Sequence, residues 1–294
     1  PSKIAWKIKA QIMRFSNRLS EGLKRPQRRF ISDIIYGIQA SKDVKLSQIS
    51  RALDEDIKLL KTETRLSRNI GKEDLTLWIN RRLIEFSSSR IKEDTVIAID
   101  LGDIRKDYAK KMEKLALVRD GSTGEARVPG YWLLSIVGAE PEGEEMTPLW
   151  GELYSLEAED VKSENSQIGR AMDEVIGAIG KKGIWAIDRS GDRGIILNRF
   201  LDRGLTFVVR LAAKRHLLLR DGTKKKALEV ARGCPLPYGR LIEVEREGKR
   251  EKRSLQLGFA PVRLPWRLEP LVMVVVKGFG EEPLMLLTNM EIRG

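Results

Sequence analysis

Apolar residues recur every three or four positions through the first third of the chain. Phe30, Ile34, Ile35 and Ile38 form one such series, and Leu46, Ile49, Leu53, Ile57 and Leu60 form another. That spacing predicts amphipathic helices across residues 3–92. Pro26 suits the opening of one helix, and Ser41 and Ser47 are candidate caps. At residue 95 the pattern changes. Thr95, Val96, Ile97, Ala98 and Ile99 make a continuous, largely β-branched run, as expected of a strand buried on both faces, and it leads straight into Asp100. Residues 131–138 and 149–155 read as two more strands, with a turn between the first two at Arg119-Asp120-Gly121-Ser122.

Residues 163–181 place Ile168, Met172, Val175, Ile176 and Ile179 on one helical face. Residues 183–187 then read as a fourth strand, ending on Asp188. A short helix around 195–201 and a strand at 206–211 follow. Three strands, a helix, a strand, a helix and a strand is the order of an RNase H-like core, an α/β (α+β) arrangement in which helices are expected on both faces of a mixed sheet. Residues 212–288 alternate apolar and polar positions between turns (Asp221-Gly222, Gly248-Lys249) and several prolines, and predict a mostly β insertion subdomain. The expected division is a helical region over 1–92, the first part of the core over 93–211, the β-rich insertion over 212–288, and the start of a return to the core over 289–294.

Composition narrows the chemistry. Lys and Arg number 54 against 42 acids, a formal charge of +12, which favours a polyanionic partner. A single cysteine, Cys234, excludes an internal disulfide and a Cys-based zinc site. With one histidine, His216, a divalent metal must be held by carboxylates, which suits Mg²⁺ or Mn²⁺. No apolar run approaches the roughly 20 residues of a membrane span, so no membrane partner is expected and a cytoplasmic location is.

Two carboxylates stand out by position. Asp100 and Asp188 each follow an apolar run that reads as a buried strand. An acid there is costly unless it is paired, solvated in a cleft or bound to metal. If the two strands are neighbours, the pair can share divalent cations and serve phosphodiester chemistry. The alternative is that each Asp caps a helix or starts a turn. Asp103 and Asp192 are possible substitutes. Cations follow both acids: Arg105, Lys106, Lys110 and Lys111 after Asp100, and Arg189 and Arg193 after Asp188. Lys58, Lys61, Arg65 and Arg68 fall near one helical face and can lie along DNA, and Arg28 and Arg29 belong to a basic cluster near the start. Trp266 is a candidate for stacking on an unpaired base.

The stretches VIAIDLGDIRKDYAKKMEKLALVRDGSTGEARVPGYWLLSIVG and GIWAIDRSGDRGIILNRFLDRGLTFVVRL resemble the first and second catalytic blocks of bacterial insertion-sequence transposases of the Asp-Asp-Glu type. Residues 212–288 look like the β insertion of the hairpin-forming branch of that family, and LMLLTNM resembles the strand leading out of it. The resemblance implies that Asp100 and Asp188 are the first two catalytic aspartates, holding Mg²⁺ for DNA strand cleavage and strand transfer. It also implies an N-terminal region that binds transposon ends, double-stranded target DNA as a second partner, and a homodimer on DNA. The family's third acid is a glutamate on a helix after the insertion. No such helix is legible here and Glu291 precedes no helical pattern, so this polypeptide is expected to bind DNA better than it cuts it. The alternatives are a non-catalytic DNA-binding remnant of a transposase and a metal-dependent nuclease on the same core.

Overall fold

A computed structural model describes residues 3–109, 111–119, 126–143, 145–246 and 249–292. The expected turn at Asp120-Gly121-Ser122, the turn residue Gly248, and Lys110 lie outside the described residues. The chain divides into two compact units, Pro1–Leu83 and Ile84–Gly294.

The first unit is helical, with α1 (Lys3–Leu19), α2 (Arg25–Ser41), α3 (Leu46–Leu53) and α4 (Leu59–Ile70); α5 (Thr76–Ser87) begins in it. Pro26 sits in the first turn of α2, where its missing N–H costs no helical bond. Ser41 ends that helix, donating from Oγ to the Gly37 carbonyl at 2.7 Å and accepting from the Asp43 N–H at 3.2 Å. Ser47 does not cap α3. Lys45 occupies the N-cap with extended backbone, and its N–H is held by Asp43 Oδ1 at 2.9 Å, so Ser47 lies inside the helix. The apolar series from Leu46 to Leu60 breaks at Asp54, which takes a left-handed conformation after Leu53. Helices α2 and α3 cross at Gly37, where an added Cβ would lie 2.4 Å from Ile49 Cγ2. Ile31, Ile49 and Leu66 are buried in this unit.

The second unit is built on one sheet of ten strands. In chain order they are β1 (Val96–Arg105), β2 (Ala116–Arg119), β3 (Ala126–Ala139), β4 (Met146–Tyr154), β5 (Ile184–Ile187), β6 (Thr206–Arg210), then β9 (Tyr238–Arg246), β10 (Lys249–Val262), β11 (Leu271–Lys277) and β12 (Leu284–Thr288). A separate ribbon pairs β7 (His216–Leu218) with β8 (Lys224–Lys226). Helices α6 (Glu164–Ile179), α7 (Gly194–Asp202) and α8 (Ala227–Gly233) complete the unit. Strands β4, β3 and β1 are antiparallel neighbours, and β5 and β6 then run parallel to β1. This is the mixed sheet of an RNase H-like core.

Two arrangements differ from the pattern-based expectation. Apart from the β7–β8 ribbon, the strands of residues 212–288 join the sheet of the core. Strand β12 pairs antiparallel with β6, setting Leu287 beside Val209, and β11, β10 and β9 extend the same sheet outward. The free edge of β6 is thereby covered, which removes an exposed edge beside the core. The three helices of this unit all pack on one face. Ile97, Ile99, Leu134, Ile136, Trp185, Ile187, Phe207 and Val209 are buried there with Ile168 and Met172 of α6, Leu197 and Phe200 of α7, and Val230 of α8. Two successive right-handed crossovers in the same direction, through α6 and then α7, return the chain over the same side. Residues of alternate parity, such as Val96, Ala98, Ile184, Ala186 and Val208, are half-buried on the other face.

Candidate active site

The central feature is where the parallel pairing of β1 and β5 stops. Ile99 pairs with Ile187, and the next residues are Asp100 and Asp188. Neighbouring strands lie about 4.8 Å apart, and residues in register on parallel strands project from the same face. Asp100 alternates with Ile97 and Ile99 on β1 and so lies on the face away from α6, α7 and α8, while Asp188 is the first residue past the end of β5, and both are exposed. Strand β1 does not end at Ile99. It continues to Arg105, paired with β3 along its whole length, so Asp100 marks the end of the parallel pairing and not the end of the strand.

Register adds two residues. Asp100 lies opposite Ser135 of β3, and Arg210 follows Val209, the partner of Ile187. Ser135 and Asp100 are thus register partners on β3 and β1, while Asp188 and Arg210 follow the last paired residues of β5 and β6. Ser135 and Arg210 were not singled out from the sequence. Arg210 had the same signal as the two acids, being the first charge after the apolar run Phe207-Val208-Val209.

The turn after β5 is fixed from several sides. Asp188 caps a short 3₁₀ turn (Arg189–Gly191), accepting the Ser190 N–H at Oδ1 at 2.8 Å. The capping role considered for it is therefore present, and its Oδ2 accepts no hydrogen bond among the described residues. The turn is tight, since a Cβ at Gly191 would lie 2.2 Å from Ile187 Cγ2. Asp192, the possible substitute for Asp188, has a carboxylate only 3% exposed that takes Arg215 Nε at 2.6 Å and the Ala212 N–H at 2.9 Å. Those partners commit it to anchoring the loop. Arg193 turns the other way, to Asn165 at 3.0 Å and to an ion pair with Glu164. Asp103, the possible substitute for Asp100, is odd-numbered on β1 and projects from the opposite face, in register with Trp132. Arg105 pairs with Asp107, and Lys106 is half-buried.

Asp100 and Asp188 offer hard oxygen donors to a divalent cation. Mg²⁺ commonly takes one or two protein carboxylates and completes its shell with water and phosphate oxygens, so the pair fits that ion. Among the described residues, no group of three or more His, Cys, Asp or Glu is placed to hold a metal.

The expected DNA-binding cations separate into free and committed ones. Lys58, the N-cap of α4, and Lys61 and Arg68 on it are exposed, as is Arg28. Arg65, from the same predicted face, turns inward to Asp33 at 2.6 Å and Glu55 at 2.9 Å. Arg29 reaches Glu55 at 2.5 Å and Asp33 at 3.6 Å. Burial pushes the Glu55 carboxyl up, but hydrogen bonds from Thr62, Arg65 and Arg29 outweigh it and hold its pKa below the ordinary value. Trp266 donates from Nε1 to Asn198 at 2.9 Å, and the Arg215 guanidinium lies 5.5 Å from its ring centroid. With Gly194, Asn198 and Arg203 it lines a cavity of about 800 Å³, and it is 44% exposed. Part of the ring that a base would use is therefore already faced by Arg215.

No family model matches the chain, and no curated protein does. Among solved structures it is similar to a piggyBac transposase synaptic complex with hairpin DNA, at 12% identity and a TM-score of 0.46, over 98% of this chain and 59% of that one. It is also similar to a Drosophila P element transposase strand transfer complex, at 11% identity and a TM-score of 0.20, over 65% of this chain and 50% of that one. The chain thus spans about half to three-fifths of the length of these two. At such scores neither likeness bears on the site, which is read from the sheet's own register. No described helix is long and apolar enough to cross a membrane.

Proposed function

We propose that this chain is part of a transposase-like, metal-dependent polynucleotidyl transferase that acts on DNA. The observation that supports the reading is the last parallel pair of β1 and β5, Ile99 with Ile187, each followed directly by an exposed aspartate, Asp100 and Asp188. Asp100 and Asp188 would hold Mg²⁺, which supplies activation of a water or 3′-hydroxyl and stabilisation of the leaving oxygen. The Ser190 N–H holds Asp188 through Oδ1, and Oδ2 would be the oxygen available to a cation. The exposed cations of the helical unit, Lys58, Lys61, Arg68 and Arg28, hold the phosphate backbone of a duplex. The reading includes transposon ends and target as substrates, and two protomers holding two ends.

The test is nicking of a supercoiled plasmid in Mg²⁺ or Mn²⁺. Asp100→Asn and Asp188→Asn are expected to reduce nicking to background without weakening duplex binding, while Asp103→Asn retains it. Normal nicking by both Asp100→Asn and Asp188→Asn would sink the reading. A second reading, a DNA-binding protein without catalysis, is favoured by one observation: no third acid joins the pair among the described residues. It predicts salt-sensitive duplex binding by the wild-type chain with no metal-dependent nicking.

A further inference from the structure

We propose that Arg210 and Arg189 form a seat for a backbone phosphate beside the acid pair, an inference that rests on the DNA-handling reading above. Arg210 follows Val209, the β6 partner of Ile187, and Arg189 directly follows Asp188 at the end of β5. Yet neither guanidinium forms an ion pair among the described residues, and both side chains are exposed. Other arginines of this unit are neutralised: Arg193 by Glu164, Arg199 by Asp173, Arg215 by Asp192 and Arg267 by Asp202. With no acid engaging them, the two guanidiniums are available to an anionic group, and the adjoining carboxylates would be offset by the cation that they hold.

Arg189 and Arg210 also line a shared cleft of about 390 Å³, walled by Leu211, Phe279, Glu282 and Met285. A guanidinium fork matches two phosphate oxygens at once, and a planar, weakly hydrated cation is the suitable donor for such a site. The strand spacing of about 4.8 Å puts Arg210 one strand away from Asp188. A phosphodiester group engaged at the acid pair would therefore have its neighbouring phosphate within reach of Arg210 and Arg189. The ligand class is the phosphodiester backbone of a DNA strand, recognised without regard to base.

The experiment measures fluorescence anisotropy of a short fluorescein-labelled blunt duplex with the full chain over a series of NaCl concentrations. Each lost phosphate contact lowers the steepness of log K against log salt by about 0.9. Arg210→Gln and Arg189→Gln are each expected to show that loss, and Arg210→Lys to retain the wild-type slope. Arg240→Gln, an exposed arginine on the far edge strand β9, should also leave it unchanged. Circular dichroism shows whether each variant is folded. If the wild type binds with a salt-dependent slope that Arg210→Gln and Arg189→Gln leave intact, the seat is refuted and the DNA reading stands. If the wild type shows no salt-dependent binding, both fall together.

Discussion

The two units of this chain divide its charge unevenly. Residues 1–83 contain 19 Lys and Arg against nine Asp and Glu, whereas residues 84–294 contain 35 against 33. Almost all of the +12 therefore belongs to the helical unit, and the sheet unit is close to neutral. Within the sheet unit many arginines are spent on acids of the same unit, as Arg193, Arg199, Arg215 and Arg267 are. Most of the charge that would attract a polyanion thus belongs to one unit, and the exposed acids at the ends of the β1–β5 pairing belong to the other. An overall net charge conceals this, because it averages a strongly basic unit with a balanced one.

The comparison breaks most directly at Arg65, which belongs to the basic unit but acts within it. Its side chain is 24% exposed, and it bridges Asp33 and Glu55, themselves 18% and 20% exposed. Arg65→Met keeps the apolar stem but leaves two half-buried carboxylates short of a partner, a loss of about 1–3 kcal/mol. Hydrogen exchange should accelerate in α2, α3 and α4 and stay unchanged in β1, β5 and β6. Faster exchange in those strands as well would mean that the two units are not separable in this way.

How far the sequence disclosed this arrangement depends on the range of the interaction. The strands around Asp100 and Asp188 were legible because each apolar run has one face deeply buried, and each acid is the first charge to follow. The order of strands and helices was legible for the same reason. Pairing between β6 and β12 was not, since an alternating strand does not name its partner 76 to 80 residues away. Nor was the inward turn of Arg65. Spacings of three and four show that Lys58, Lys61, Arg65 and Arg68 share a side, but the acids that capture Arg65 come from α2 and from the turn before α4. Asp188 and Asp192 look alike in sequence, and it is Ala212 and Arg215, 20 and 23 positions beyond Asp192, that distinguish the anchor from the exposed acid.

A smaller effect sharpens the comparison. Lys61 and Arg68 are exposed on α4, and replacing both with Gln should lower the steepness of log K against log salt by about 0.9 for each contact made. Nicking at saturating DNA should not change, because the acid pair lies in the other unit. An unaltered slope would remove α4 from the binding surface and leave the basic unit's excess charge without an assigned face.

The smallest expected effect is a pH dependence confined to the helical unit. Glu55 is raised by burial but lowered more by Thr62, Arg65 and Arg29, so its folded pKa lies below the ordinary 4.5. A carboxyl depressed on folding contributes stability that is fully present above its unfolded pKa and is lost as the pH falls through the folded one. Glu55→Gln cannot ionise, so it should be less stable than the wild type at neutral pH. That difference should close as the pH drops below 4.5. Urea titrations followed by hydrogen exchange in α2–α4 at neutral and acid pH read the gap directly. A gap of constant size across that range would show that the Arg29, Arg65 and Thr62 contacts do not favour the charged form of Glu55. The cations of the helical unit would then be freer for an external polyanion than the geometry indicates.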